Sequence, residues 1–189
     1  FHEIGERRLA MIERLWAAER LWRSGRKEDA RRLISRLGGA ASDASPSVRV
    51  DYWLLAARSF ADGRRYRAAR RQLELARNLA LESRDKLREL EALRQIAWLE
   101  LELGTRSAAR EALDHALRLM AAVAAGHPSP WRTDLILEGR RDVNDLLLRW
   151  HESEPADSSE RLFADMQSAD TLPYWEPTSG ALDSWRRYL

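Results

Sequence analysis

A helix–glycine–helix pattern over residues 93–117 constrains the fold of this chain more than any other stretch. The segment reads LRQIAWLELELGTRSAAREALDHAL and carries apolar residues at three- and four-residue intervals on both sides of Gly104. This spacing places apolar side chains on one face of a helix, and a glycine between two such runs marks a turn. The stretch therefore predicts two antiparallel helices with small side chains at their contact.

The same pattern occurs around two earlier glycines. Gly25, Gly63 and Gly104 lie 38 and 41 residues apart. Repeats of this length are typical of stacked helix pairs, because one pair cannot bury its own apolar face. No stretch alternates with a period of two, so the predicted class is all-α. We predict a repeat domain over 1–152, with hairpins at about 2–38, 47–82 and 86–125 and then a helix at 130–151, followed by a tail at 153–189.

Glycines, serines and alanines predict the finer details of these pairs. Gly38-Gly39 is expected to end the second helix. Residues 40–47 read as a loop, and Ser47 is expected to cap the third helix. A buried seam of small side chains is predicted in the second helix of each pair, at Ala30, Ala69 and Ala109.

The three pairs resemble the tetratricopeptide repeat (TPR) family over about residues 8–125. The family pattern has an aromatic and a small residue in the first helix, a turn glycine, and then alanines around a large apolar residue. The matching residues are Ala18, Leu21, Gly25, Ala30, Ile34 and Leu37, then Trp53, Ala57, Phe60, Tyr66, Ala69, Leu73 and Ala76, then Ile96, Ala97, Gly104, Ala109, Leu113 and Ala116. The spacing exceeds the usual ~34 residues, and the closing proline is missing.

This resemblance implies a right-handed solenoid in which the first helices line a groove that binds a protein or peptide. The alternative is another all-helical bundle. In the family's register, the groove carries Glu19, Leu54 and Glu91, and the implied partner-binding residues are Trp22, Arg23, Arg58, Asp62, Arg94, Trp98 and Glu102. Trp and Arg are enriched at binding hot spots. Core tryptophans beside solvated Arg–Glu pairs are the opposing interpretation.

Two implications of the resemblance concern ligand charge. Family members that clamp a C-terminal carboxylate use Lys and Asn at set places, and the three first helices contain no Asn. A dense basic run occurs at Arg64, Arg65, Arg67, Arg70, Arg71 and Arg77, of which Arg64, Arg67 and Arg71 share a helix face. The net charge is only +2, which favours a solvated outer face, so nucleic acid is not the expected partner.

The sequence offers no catalytic constellation. The absence of cysteine excludes thiol catalysis and Cys-ligated metals. Asp134, Glu138 and Asp142 form a carboxylate row at four-residue spacing, but arginines lie alongside and no Glu-x-x-His pair accompanies it. The four histidines show no ligand spacing. We therefore expect a non-catalytic protein with no cofactor and no metal.

Composition bears on source and compartment. All basic residues except Lys27 and Lys86 are arginine, which suggests a GC-rich bacterial genome. The longest apolar run, over residues 119–125, is too short to cross a bilayer. With no visible signal peptide, the cytoplasm is slightly favoured over the periplasm. The chain begins at Phe1, which supports a second hypothesis: a regulatory or sensory domain of a longer protein that binds a small ligand or nucleic acid. Homo-oligomers are compatible with either.

The tail at 153–189 is unusual because it is aromatic. It contains Tyr174, Trp175, Trp185 and Tyr188 among prolines and polar residues. Disordered tails are usually poor in aromatic residues. We predict that this tail docks on the helical body, the alternative being a linker that carries a short partner motif.

Overall fold

A computed structural model describes residues 2–126 and 142–150, with side chains at 9–123 and 142–150. Within these ranges the protein is all-α and has no strand, which confirms the predicted class. Residues 142–150 form helix α7. The other helices are α1 (His2–Arg23), α2 (Lys27–Ala41), α3 (Pro46–Asp62), α4 (Tyr66–Glu82), α5 (Lys86–Glu102) and α6 (Arg106–Gly126). The start of the predicted helix at 130–151 and the aromatic tail lie outside the described residues.

Each helix packs against its neighbour in the chain, and α3 also contacts both α1 and α5. Ion pairs show that α3 and α5 run parallel, because Asp51 pairs with Arg88 and Arg58, further along α3, pairs with Glu91. α7 continues this row beside α5. We call α1, α3, α5 and α7 the odd-helix row.

Four of the connections are three-residue turns that share one hydrogen-bond pattern. In each turn, the last residue donates its N–H to a carbonyl five residues earlier at 2.8–2.9 Å. The preceding N–H donates three residues back, which completes a Schellman motif. The left-handed residues are Gly25 (φ 79°), Arg64 (φ 55°), Arg84 (φ 55°) and Gly104 (φ 72°). Gly63 has φ −79°, so Arg64 takes the strained position that the sequence suggests for Gly63.

The α2–α3 connection differs from the prediction at both ends. α2 continues through Gly38 and Gly39 to Ala41, so the glycine pair does not end it. A Cβ at Gly38 would lie 3.0 Å from Tyr52 Oη, which indicates that Gly38 lets α3 approach α2 closely. α3 begins at Pro46, and Ser45 is its N-cap residue. Proline is favoured at the first position of a helix. Ser47 therefore lies inside the helix and does not cap it.

The core formed by the described residues consists of three clusters, each built from three consecutive helices. The first joins α1, α2 and α3, the second α3, α4 and α5, and the third α5, α6 and α7. Ala30, Ala69 and Ala109 are fully buried, which confirms the predicted alanine seam. Each is the fourth residue of its helix, where a methyl group allows close approach of the neighbouring helix.

In the described part of the chain, no helix combines the length and the apolar character that a membrane span would need.

Candidate binding groove

An open cavity of about 460 Å³ lies along the odd-helix row. We call this cavity the groove. Every described side chain that lines it belongs to an odd-numbered helix: Ile12, Leu15, Trp16, Glu19, Arg23, Asp51, Leu54, Leu55, Arg58, Leu87, Leu90, Glu91, Arg94, Gln95 and Asp142. Their spacing of three or four residues within each helix puts them on one face. The volume is within the range of ligand sites in proteins, roughly 300–1,000 Å³.

A chain of alternating charges crosses the groove from α1 to α3. Arg23 Nε donates to Glu19 Oε1 at 3.0 Å. Arg58 Nη1 on α3 donates to both carboxylate oxygens of Glu19, each at 3.0 Å. Glu19 therefore neutralises two guanidinium groups, one from its own helix and one from the next helix in the row.

The same chain continues from α3 to α5 and α7. Arg58 Nη2 lies 3.8 Å from Glu91 Oε1, and Arg94 Nη1 lies 3.1 Å from Glu91 Oε2. Arg94 also pairs with Asp142 of α7. We call Arg23, Glu19, Arg58, Glu91, Arg94 and Asp142 the ladder. It contains three cations and three anions, so the groove carries its charges in paired form.

A second cross-link lies beside the ladder. Arg88 of α5 donates to Asp51 of α3 through Nε at 2.7 Å and Nη2 at 2.8 Å. Its Nη1 donates to Asp85 at 2.6 Å. The hydrogen bonds to Asp51 chiefly, and those to Asp85, raise the pKa of Arg88, against the opposing effect of burial. This guanidinium is therefore also fully engaged with carboxylates of the protein.

Three apolar side chains line the end of the groove at which Asp51 of α3 pairs with Arg88 of α5. Ile12 and Trp16 of α1 and Leu87 of α5 lie on the N-terminal side of the ladder residues of the same helices. Trp16 is 67% exposed and Leu87 is 37% exposed. We call these three residues the apolar end. In the sequence, a single apolar stripe along α1 contains Ile4, Leu9, Ile12, Leu15, Trp16, Ala18 and Leu21. The signal that could have found Trp16 is the width of that stripe, which is too broad for one buried face.

The predicted binding residues divide into two groups. Arg23, Arg58 and Arg94 line the groove, as do the neighbouring Glu19, Leu54 and Glu91. Trp22, Asp62, Trp98 and Glu102 are not among the lining residues. Three of the seven binding residues implied by the TPR resemblance therefore line the groove, and the other four make contacts elsewhere.

The four residues outside the groove make structural contacts. Trp98 is half-buried and packs against two of the core clusters. The ring of Trp22 lies 5.8 Å from Lys27 Nζ. Glu102 accepts from Arg149 Nη2 at 2.7 Å.

Asp62 joins the end of α3 to the start of α2. It accepts from Lys27 Nζ at 2.6 Å and also pairs with Arg31. The hydrogen bond from Lys27 is the largest cause that lowers the pKa of Asp62.

The basic run lies mainly on α4. Arg70 is 3.2 Å from the buried Glu100, Arg65 stacks over Phe60, and Arg77 contacts His115. Arg64, Arg67 and Arg71 are exposed, and none forms an ion pair with another described residue. This agrees with the predicted solvated face.

Neither the acidic row nor the histidines form a metal site among the described residues. Across 2–126 and 142–150, no group of three His, Asp or Glu side chains is arranged to hold a metal ion. Asp134 and Glu138 lie outside the described residues, and Asp142 belongs to the ladder. His115 is 3.5 Å from Glu89 and acts as a link between helices; the other three histidine side chains lie outside the described ranges.

Comparison of the chain with models of protein families, with curated proteins and with solved structures finds no match in any of the three. The function is therefore inferred from the geometry of the groove.

Proposed function

We propose that this protein is a non-catalytic binding scaffold, a TPR-like solenoid that holds a segment of a partner protein in the groove. The observation that supports this most directly is that, among the residues the structure describes, all side chains lining the groove come from α1, α3, α5 and α7. In a helical solenoid, the surface formed by one helix from each repeat is the extended binding surface.

The regularity of the chain supports the solenoid. α3, α4 and α5 each contain 17 residues and are separated by three-residue turns with the same hydrogen bonds. Repeating the same turn and helix length rotates each helix pair relative to the last by a similar amount, which is how solenoids form. The unit is longer than the usual ~34 residues, so the chain resembles TPR proteins in the arrangement of its helix pairs but not in the length of its repeat.

The dimensions of the odd-helix row favour a peptide as the ligand. Neighbouring packed helices lie roughly 8–10 Å apart, so four helices span about 25–30 Å. An extended chain rises about 3.3 Å per residue. A segment of about eight or nine residues would therefore cross the whole row, whereas a small metabolite would fill only part of it.

Selection from a phage-displayed library of random nine-residue peptides tests this function on the whole chain. The blocking variant is Gln95→Trp, because Gln95 lines the groove and a larger side chain would fill it. The matched control is Gln72→Trp on α4, which does not line the groove. Both variants should keep the wild-type helical content, measured by circular dichroism, and the wild-type melting temperature within a few degrees.

We expect the wild-type protein and Gln72→Trp to enrich the same peptides and Gln95→Trp to lose them. If no peptide is enriched, or if enriched peptides bind the blocked variant equally well, the proposed function is wrong.

A further inference from the structure

We propose that the apolar end is the anchor site of the groove, and that it takes a large apolar side chain, Trp, Phe or Leu, from the bound partner segment. The ladder then sets the shape of the groove and does not clamp an acidic ligand. This inference rests on the proposed function and names the chemistry of the partner.

The charge state of the groove supports this choice. Arg23, Arg58 and Arg94 each already pair with a carboxylate of the protein at 3.0–3.1 Å. At Arg58 and Arg94, which are 34% and 23% exposed, a ligand carboxylate would compete with Glu19 and Glu91. Arg23 is 79% exposed, and an ion pair at such a site adds little stability because solvent screens it. Breaking an existing ion pair to form a similar one yields little net affinity.

The apolar end, by contrast, has exposed apolar side chains. Trp16 is two-thirds exposed, although most of its neighbours along α1 that face α3 are buried. Ile12 lies one turn before Trp16 on α1, and Leu87 of α5 lines the same groove. A ligand side chain placed here would bury apolar surface that the described part of the protein leaves exposed, and burial of apolar surface is the main source of binding free energy at such sites. Trp is also one of the residue types enriched at binding hot spots.

The partner segment must therefore satisfy two conditions. It carries one large apolar side chain for the apolar end, and its remaining residues cross a row of paired charges that favours neither sign. We expect its affinity to depend little on salt, because screening weakens unpaired charge attraction and not apolar contact.

The test uses peptides enriched by wild-type protein and lost by Gln95→Trp. Their sequences are compared, and the dissociation constant of one labelled peptide is measured by fluorescence anisotropy with wild-type protein, Trp16→Ala, Leu87→Ala and Leu81→Ala. Leu81 is the matched control, since it is 56% exposed on α4 and does not line the groove. Trp16 and Leu87 are exposed enough that these variants should fold normally.

We expect one peptide position to be restricted to Trp, Phe or Leu. Trp16→Ala should weaken binding at least about tenfold, and Leu87→Ala about threefold or more. Leu81→Ala should stay within about twofold of wild type, and raising sodium chloride from about 50 to 500 mM should change the wild-type constant less than about threefold.

Three results would overturn the inference while leaving the proposed function in place. The first is a consensus rich in Asp or Glu with strongly salt-dependent binding. The second is unchanged binding to Trp16→Ala and Leu87→Ala. The third is a concentration-dependent dimer, seen by light scattering and abolished by Trp16→Ala, which would mean that a second copy covers the apolar end. Failure of the proposed function is distinct, since no groove-dependent peptide would then be recovered.

Discussion

Arg58 donates through Nη1 to both carboxylate oxygens of Glu19, each at 3.0 Å, and so ties α3 to α1 across 39 positions of sequence. Both side chains are about one-third exposed or less, so the pair is only partly screened by solvent. The ladder that continues from Arg58 to Asp142 links all four helices of the odd-helix row. Residues that resemble ligand-binding arginines in the sequence thus hold the walls of the groove together.

The first prediction concerns the strength of this link. Arg58→Ala should lower the free energy of unfolding by about 1–2 kcal/mol, because it leaves Glu19 with one cation fewer in a half-buried site. The matched control is Arg67→Ala, an exposed arginine on α4, which should change stability by less than about 0.5 kcal/mol. Urea denaturation followed by circular dichroism measures both. Equal losses in the two variants would show that Arg58 is an ordinary surface residue.

The second prediction compares the three turn glycines. Gly25 and Gly104 have positive φ, a conformation that costs a residue with a Cβ about 1–2 kcal/mol. Gly25→Ala and Gly104→Ala should therefore destabilise the protein by about that amount. Gly63 has negative φ, and its nearest non-neighbour atom to an added Cβ is 3.5 Å away, so Gly63→Ala should cost less than about 0.5 kcal/mol. Thermal unfolding of the three single variants measures the difference.

A reverse substitution checks the same geometry. Arg64 has φ 55°, so Arg64→Gly should relieve strain and raise stability by up to about 1 kcal/mol, net of the greater freedom of glycine in the unfolded chain. A loss of stability in Arg64→Gly would contradict the left-handed turn at Arg64.

The third prediction separates two adjacent glycines of α2. Gly39 has open space around an added Cβ, so Gly39→Ala should stabilise the helix by about 0.5–1 kcal/mol. Gly38→Ala should not share this gain, because its Cβ would meet Tyr52 Oη at 3.0 Å. The difference in unfolding free energy between the two variants is the measurement. Equal stabilisation by both would show that Tyr52 does not pack against Gly38.

The fourth prediction is a dependence on pH. Hydrogen bonding from Lys27 lowers the pKa of Asp62 in the folded protein. A carboxyl group whose folded pKa is depressed contributes stability above its unfolded pKa, near 4, and loses that contribution as the pH falls through the folded pKa. Asp62→Asn should therefore cost about 1 kcal/mol at pH 7 and progressively less below about pH 4.

The control for this prediction is Asp43→Asn, in the exposed connection between α2 and α3. It should leave stability within about 0.5 kcal/mol of wild type at both pH 7 and pH 2.5. If Asp62→Asn were equally destabilising at pH 7 and at pH 2.5, the effect would come from altered contacts and not from ionisation.

Local sequence patterns predicted the helices because the features that form a helix act over only a few residues. Apolar spacing, short polar turns and the alanines at positions 30, 69 and 109 each act within one helix or between neighbours in the chain. The same reasoning went wrong where a distant contact overrides propensity. Gly38-Gly39 has the composition of a helix end, yet α2 continues through it beside Tyr52 of the next helix.

The sequence by itself therefore determined the helical class, the approximate helix ends and the buried alanine seam, since these depend on periodicity and side-chain size. Only the tertiary structure decided that Arg58 and Glu19 meet, and that the exposed Trp16 lines the same groove as Leu87. Helix periodicity says which residues share a face, but the charge pairs and the exposed tryptophan depend on how helices far apart in sequence are placed side by side.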